Sequence, residues 1–160
     1  MRSSGVVREV LHQFKYEGKR YLLPVLEGWI LQGATDPRLR DPPVEWWVPV
    51  PLHWTRLWLR GFNQAALLAR AVARVYGGTC VEALRRTRPT GTQTSLERDA
   101  RLHNVRGAIQ LTAAARYRVS GREVALVDDV FTTGATAEAC ARALREAGAR
   151  SVRVLTVARG

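Results

Sequence analysis

The stretch Val124-Ala125-Leu126-Val127-Asp128-Asp129-Val130-Phe131-Thr132-Thr133-Gly134-Ala135-Thr136 constrains this chain more than any other. An apolar run of strand type, Glu123–Val127, leads into two adjacent acids. A loop of small and hydroxyl-bearing residues follows, then a helix pattern from Thr136 to Ala147 with Gly148 as its C-cap. A second apolar run, Ser151–Val157, comes next. Strand, helix and strand on short connections form a parallel βαβ unit, because parallel neighbours need a crossover and the helix supplies it. The expectation is an α/β domain around a mostly parallel sheet flanked by helices.

Each part of the stretch has a chemical use. A rigid strand delivers its loop to the carboxyl edge of the sheet, where open α/β sheets bind ligands. Gly134 lets the backbone approach a ligand closely. Exposed N–H groups at a helix start hold a phosphate, and Thr132, Thr133 and Thr136 add hydroxyl donors. Carboxylates repel that phosphate, so Asp128 and Asp129 are expected to accept hydrogen bonds from sugar hydroxyls instead. No Gly-Lys-Ser/Thr follows the loop, so it is not a P-loop.

The rest of the chain supplies the frame. Ser3 and Ser4 are suited to cap a helix carrying Val6, Val7, Val10, Leu11 and Phe14, which Gly18 ends. A second apolar segment runs from Tyr21 to Leu31, and Thr35–Pro43 reads as a surface loop. Trp46–Pro51 reads as a buried strand ended by prolines. The pattern from Phe62 to Tyr76 predicts a helix closed by Gly77-Gly78. Cys80–Leu84, Val105–Thr112 and Tyr117–Val119 are strand candidates. The run from Arg85 to Arg106 has no period and is dense in Arg, Thr, Gln and Asn, the composition of a functional or solvated loop. Arg60-Gly61, read as opening the long helix after a proline-stiffened turn, suits a second anion site. Asn63 and Gln64 suit helix capping or ligand contact equally.

Taken together these residues resemble the type I phosphoribosyltransferases. The acids and the Thr-Thr-Gly-x-Thr loop match that family's motif for 5-phosphoribosyl-1-diphosphate (PRPP) at Asp128, Asp129, Thr132, Thr133, Gly134 and Thr136. Phe14-Lys15-Tyr16, Gly18, Pro49-Val50-Pro51, Arg60-Gly61-Phe62-Asn63-Gln64, Arg86, Arg88, Thr90, Gln93, Arg101 and Asn104 narrow the resemblance to the ComF/GntX family, a competence-associated branch of that fold.

The resemblance implies one phosphoribosyltransferase domain over residues 1–160, with 1–43 an N-terminal helical hood and 44–160 the PRPP-binding core. It implies that Asp128 and Asp129 contact the ribose hydroxyls and that the loop from Val130 and Phe131 through Thr132, Thr133, Gly134 and Ala135 to Thr136 holds the 5-phosphate. The turn at Pro51 and Leu52, with Arg60, would face the diphosphate. Arg86 and Arg101 would supply positive charge to the leaving group, with Arg88, Gln93 and Asn104 in a flexible loop that closes over PRPP; Arg98 fits that pattern less well. Magnesium would arrive with PRPP, and no side chain is read as a metal ligand. Relatives commonly carry an upstream zinc ribbon with paired cysteines; this sequence has no such pairs, so zinc-dependent contacts are not carried over. Ile109 stands where the family usually has an aromatic residue, a modest change in the core.

The composition fits these readings. Cys80 and Cys140 are far apart and belong to no ligand cluster. No apolar run approaches the ~18 residues of a membrane span, and no signal-peptide pattern opens the chain, so a cytoplasmic protein without membrane insertion is expected. The net charge is +11, and the only lysines are Lys15 and Lys19. Arginine suits planar contact with phosphate, so a polyanion, nucleic acid or small phosphorylated ligand, is one expectation and a general arginine bias another. His12 and His53 are read as structural or surface residues, and Trp46, Trp47, Trp54 and Trp58 as core or as a stacking surface. Two functions follow. In one, a nitrogen nucleophile such as a nucleobase displaces diphosphate from Mg-PRPP; in the other, a non-catalytic adaptor for DNA uptake binds single-stranded DNA or competence partners and senses PRPP.

Overall fold

The computed structural model describes residues 5–87 and 107–160. Four parallel strands form the central sheet: β1 (Trp46–Pro49), β2 (Thr79–Cys80), β5 (Glu123–Phe131) and β6 (Ser151–Arg159). Their order is β2-β1-β5-β6. Two further strands, β3 (Leu84–Arg86) and β4 (Ile109–Leu111), pair antiparallel in a separate ribbon. The helices are α1 (Gly5–Tyr16), α2 (Leu23–Gly33), α3 (Trp54–Arg60), α4 (Gln64–Tyr76), α5 (Ala113–Arg116) and α6 (Ala135–Glu146).

Strand alternation sorts the core onto two faces. Trp47, Ala125 and Val127 pack with Val7, Leu11 and Phe14 of α1, Leu26 and Ile30 of α2, and Leu68 and Val72 of α4. Trp46, Val48, Val124 and Leu126 pack on the other side with Cys140 and Leu144 of α6 and with Val119, Leu84 and Ile109. All of β1 is buried, as parallel strands covered on both faces are. The chain leaves β1 for β2 on one side, while β5 pairs with β1 on the other. That reversal opens a crevice at the carboxyl ends of β1 and β5, where doubly wound sheets place ligands.

Several expectations change. β5 does not stop at Val127; it continues through both acids to Phe131, because β6 pairs with it as far as Arg159. The candidate Cys80–Leu84 divides between β2 and β3, which lie in different sheets. Tyr117–Val119 is no strand: α5 ends just before it and the chain turns there. Arg85 and Arg86 belong to β3 and not to an irregular run. A helix, α3, fills the segment between the proline turn and Gly61. Arg60 therefore ends a helix, where the backbone dipole is negative, and does not open one. His53 is buried and caps α3, accepting the Thr55 N–H at Nδ1.

Candidate functional site

The loop after β5 is built around Gly134. Its φ is +79° and it caps α6, a backbone conformation that side chains rarely tolerate. A Cβ there would lie 2.7 Å from the Phe131 ring, so only glycine lets the loop fold back this tightly. The turn leaves a small compartment of about 90 Å³ lined by Asp128, Val130, Phe131, Thr132, Gly134, Thr136, Val154 and Thr156. Thr133 Oγ1 receives the Ala135 N–H at 3.4 Å, and Ala135 itself is buried at the helix start. Val154 and Thr156 escaped the sequence reading. They arrive from β6 by register, Thr156 standing opposite Asp128. Only the strand pairing could have revealed them.

The acids occupy successive strand positions, so they face opposite sides of the sheet. Asp128 lines the phosphate-sized compartment on the α6 side. Asp129 is buried and forms an ion pair with Lys15 of α1. The Asp129 N–H donates to Asp128 Oδ1 at 2.9 Å, which ties the two acids together. Burial, and then the charge of Asp129, raise the pKa of Asp128 well above the carboxylate range, while Lys15 and the backbone hydrogen bond act in the other direction. At neutral pH the pair therefore tends to hold a proton. Burial and Asp128 together push the Cys140 thiol up to about 12, so it is an inert member of the buried core.

Lys15 is the site residue whose role the sequence reading missed. On an amphipathic helix a lone lysine reads as a solvated group, and its partner lies in the last third of the chain. Its neighbours fasten the same helix end. Phe14 meets Phe62 edge-on at 5.2 Å, and the Arg60 guanidinium sits 4.9 Å over the Tyr16 ring.

At the end of β1, a groove of about 460 Å³ runs between the proline turn, α4 and β3, lined by Pro51, Leu52, Phe62, Asn63 and Arg86 among others. Asn63 holds the turn in place. Its Oδ1 caps α4 by accepting the Ala65 N–H at 3.0 Å, and its Nδ2 donates to Val50 O at 3.1 Å. Arg60 does not line this groove; it donates to Gln64 Oε1 at 3.3 Å and faces Tyr16. Burial, and Arg56 nearby, lower the pKa of Arg86, against the pull of Cys140 and Asp128. Arg86 thus lies within electrostatic reach of Asp128. Arg88, Gln93, Arg98, Arg101 and Asn104 fall outside the described residues. Among the described residues no group of three or more His, Cys, Asp or Glu is arranged to hold a metal ion. No helix among them is long and apolar enough to cross a membrane.

The fold is that of a type I phosphoribosyltransferase. The solved structure of the allosteric regulatory enzyme of purine biosynthesis aligns with TM-score 0.56 and 20% identity over 85% of this chain and 26% of that one. Glutamine PRPP amidotransferase from B. subtilis, complexed with ADP and GMP, aligns with TM-score 0.57 and 22% identity over the same shares. By sequence the chain is 37% identical to Competence protein F of Haemophilus influenzae over 113 residues, 70% of this chain and 49% of that protein. It is 34% identical to DNA utilization protein YhgH of Escherichia coli over 157 residues, 94% of this chain and 66% of that protein. No protein-family model matches it. The chain belongs to the ComF family. It spans about half the length of one of these relatives and just under two thirds of the other.

Proposed function

We propose that this chain binds Mg-PRPP and transfers its phosphoribosyl group to a nitrogen acceptor, in the service of DNA uptake or use. The observation that carries the reading is the join of Asp128 to the Thr132–Thr136 turn around one compartment of phosphoryl size at the carboxyl end of β5. In this reading the loop N–H groups and the hydroxyls of Thr132, Thr136 and Thr156 anchor the 5-phosphate. The acid pair accepts hydrogen bonds from the ribose 2- and 3-hydroxyls. The proline turn at Pro51 and Leu52, with Arg86, faces the diphosphate.

Magnesium fits this site as a companion of the substrate, because Lys15 already occupies one carboxylate of the pair. When bound, the ion neutralises diphosphate oxygens. The protein's own contribution is positioning, exclusion of water and electrostatic support for an oxocarbenium-like transition state. Arg101, from the segment after β3, offsets negative charge on the leaving group in this reading. The relatives' names, Competence protein F and DNA utilization protein, support the biological setting.

Calorimetric titration of Mg-PRPP into wild type and the Asp128→Asn/Asp129→Asn protein tests binding. Saturable binding that the double variant loses is expected; a folded wild type that takes up no PRPP overturns the reading. Diphosphate release that depends on an added nucleobase tests catalysis.

One observation favours the second reading, an adaptor for single-stranded DNA. Trp54 and Trp58, one helical turn apart on α3, are 68% and 82% exposed, with Leu57 and Leu59 exposed beside them and Arg56 and Arg60 on the same helix. Aromatic platforms among arginines suit stacked bases on a phosphate backbone. The expected outcome is that Trp54→Ala/Trp58→Ala lowers oligonucleotide affinity about tenfold or more while the salt dependence persists. Unchanged affinity would remove α3 from that role.

A further inference from the structure

The central sheet ends in a long strand with one open side. β6 pairs with β5 and closes the order β2-β1-β5-β6. Glu123 O and Val127 O accept N–H groups from the β1 side, so Val124 and Leu126 are the residues of β5 turned toward β6. Their register partners, Val152 and Val154, then point their own N–H and C=O groups outward. Among the described residues no other backbone group bonds to them. Proteins blunt such an edge with proline, lysine or a charge that projects over it. The stretch Ser151–Arg159 has no Pro and no Lys. Its two arginines turn onto their own chain, Arg153 to Glu123 Oε2 at 2.7 Å and Arg159 over the Phe131 ring. A second feature lies beside the edge. α2 packs on β6 and α4 and is apolar on every side, yet only Leu26 and Ile30 in it are buried. A helix apolar all round belongs inside a structure. Glu27 reaches Arg74 of α4, so helical periodicity carries Val25 and Trp29 to the opposite side of α2, along the open edge. Val25 is exposed and Trp29 half-buried. On the other face of the sheet, exposed Val154 lines a groove of about 510 Å³ with Phe131, Ala137, Ala141 and Val152.

We propose that this face is the interface between two copies of the chain, the β6 strands pairing antiparallel across a two-fold axis into one continuous sheet. The inference stands without the PRPP reading. Charge favours a second copy as the occupant. The chain carries +11, but α2 has no basic residue and a single acid, and the arginines of β6 are already engaged. A polyanion finds nothing to bind there. The sequence of β6 also suits its own reverse. With Leu155 on the axis, Arg153 stands opposite the partner's Val157 and Arg159 opposite the partner's Ser151, so no arginine faces another. Val154 becomes a diagonal neighbour of the partner's Val154, and the two cover each other. Val25 and Trp29 meet the same stripe of the second copy on the α2 face, where exposed apolar surface is otherwise left in water.

Sedimentation equilibrium from about 1 to 100 μM, in about 0.3 M salt to screen the like charge of the two copies, tests this. Wild type is expected to dimerise with a Kd of about 10 μM or tighter. Val154→Lys sets two ammonium groups side by side at the joint and is expected to weaken the dimer about tenfold or more. Val75→Lys makes the same change of charge at an exposed position on α4 and is expected to leave it intact. Hydrogen exchange locates the joint. The N–H groups of Val152 and Val154 are expected to exchange about tenfold or more slowly as wild type passes from monomer to dimer, and position 152 to show no such slowing in Val154→Lys over the same concentrations. A chain that stays monomeric at about 100 μM, which leaves the edge to a strand of a different protein, overturns the proposal. So does a dimer that Val154→Lys leaves as tight as Val75→Lys does, or one in which Val152 and Val154 exchange at the monomer's rate. Should Val154→Lys fail to fold, Val25→Lys, on the α2 side of the same joint, is held to the same criteria.

Discussion

Asp128 is held at a cost in stability at high pH. Its folded-state pKa stands above the ordinary value of 3.8, so the folded chain holds a proton that the unfolded chain has released. The stabilising share of that proton is fully present below the ordinary value and is lost as pH rises through the raised one. Asp128→Asn removes the ionisation and its repulsion with Asp129. The variant is expected to be more stable than wild type at pH 8 by about 1–2 kcal/mol, a rise in Tm of roughly 2–8 °C, and to lose that advantage by pH 4. Thermal scans across that range check it. Gly134→Ala makes the opposite prediction. With φ at +79° and the Phe131 ring in the way, the added methyl should cost about 1–3 kcal/mol and weaken PRPP binding with it. Denaturant titration and calorimetry read the two effects separately.

Among the elements, the start of α4 carries a double task that one side chain performs. Asn63→Ala loses both the cap and the bond to Val50, and about 1–2 kcal/mol of stability is expected to go with them. Asn63→Asp keeps an acceptor for the cap but loses the donor, so it should retain most of the helix's stability while loosening the β1 turn. Hydrogen exchange at the N–H groups of Ala65 and of Val50, which is bonded to Val127 O, distinguishes the two. The legibility of the elements follows from what they bury. β5, the loop and α6 were readable because an apolar run, acids, glycine and a periodic helix occur in one order, although the extension of β5 to Phe131 needs β6 beside it. The segment Trp54–Arg60 was unreadable as a helix because no residue in it is buried, leaving no inward face to set a period. Tyr117–Val119 looked like a strand from its apolar ends, yet Tyr117 is 86% exposed and only Val119 enters the core. The candidate site was legible where its residues are contiguous. Thr156 and Lys15 were invisible as site residues because strand register and helix packing, not sequence proximity, bring them in.

At the scale of the whole molecule, the first helix shares its core with the sheet through Phe14, Leu11 and Val7 and ends on the acid pair through Lys15. Fold and site therefore depend on each other. Occupying the site should make α1 harder to open. Hydrogen exchange with saturating Mg-PRPP is expected to slow about tenfold or more across the second half of α1, and less than about twofold in α2, which packs on β6 away from the acids. Equal protection of both helices would point to general stabilisation.

The Lys15–Asp129 contact also makes the beginning and the end of the chain linked variables. Free energy exchanged between two events is the same whichever is taken as the cause. If seating the first helix makes a ligand bind more tightly by some factor, the ligand must tighten the seating by that same factor. Whatever else attaches to the surface of α1, through Tyr16 or the exposed Val6, then acts on the pocket as an effector, and the pocket's occupant reports back to it.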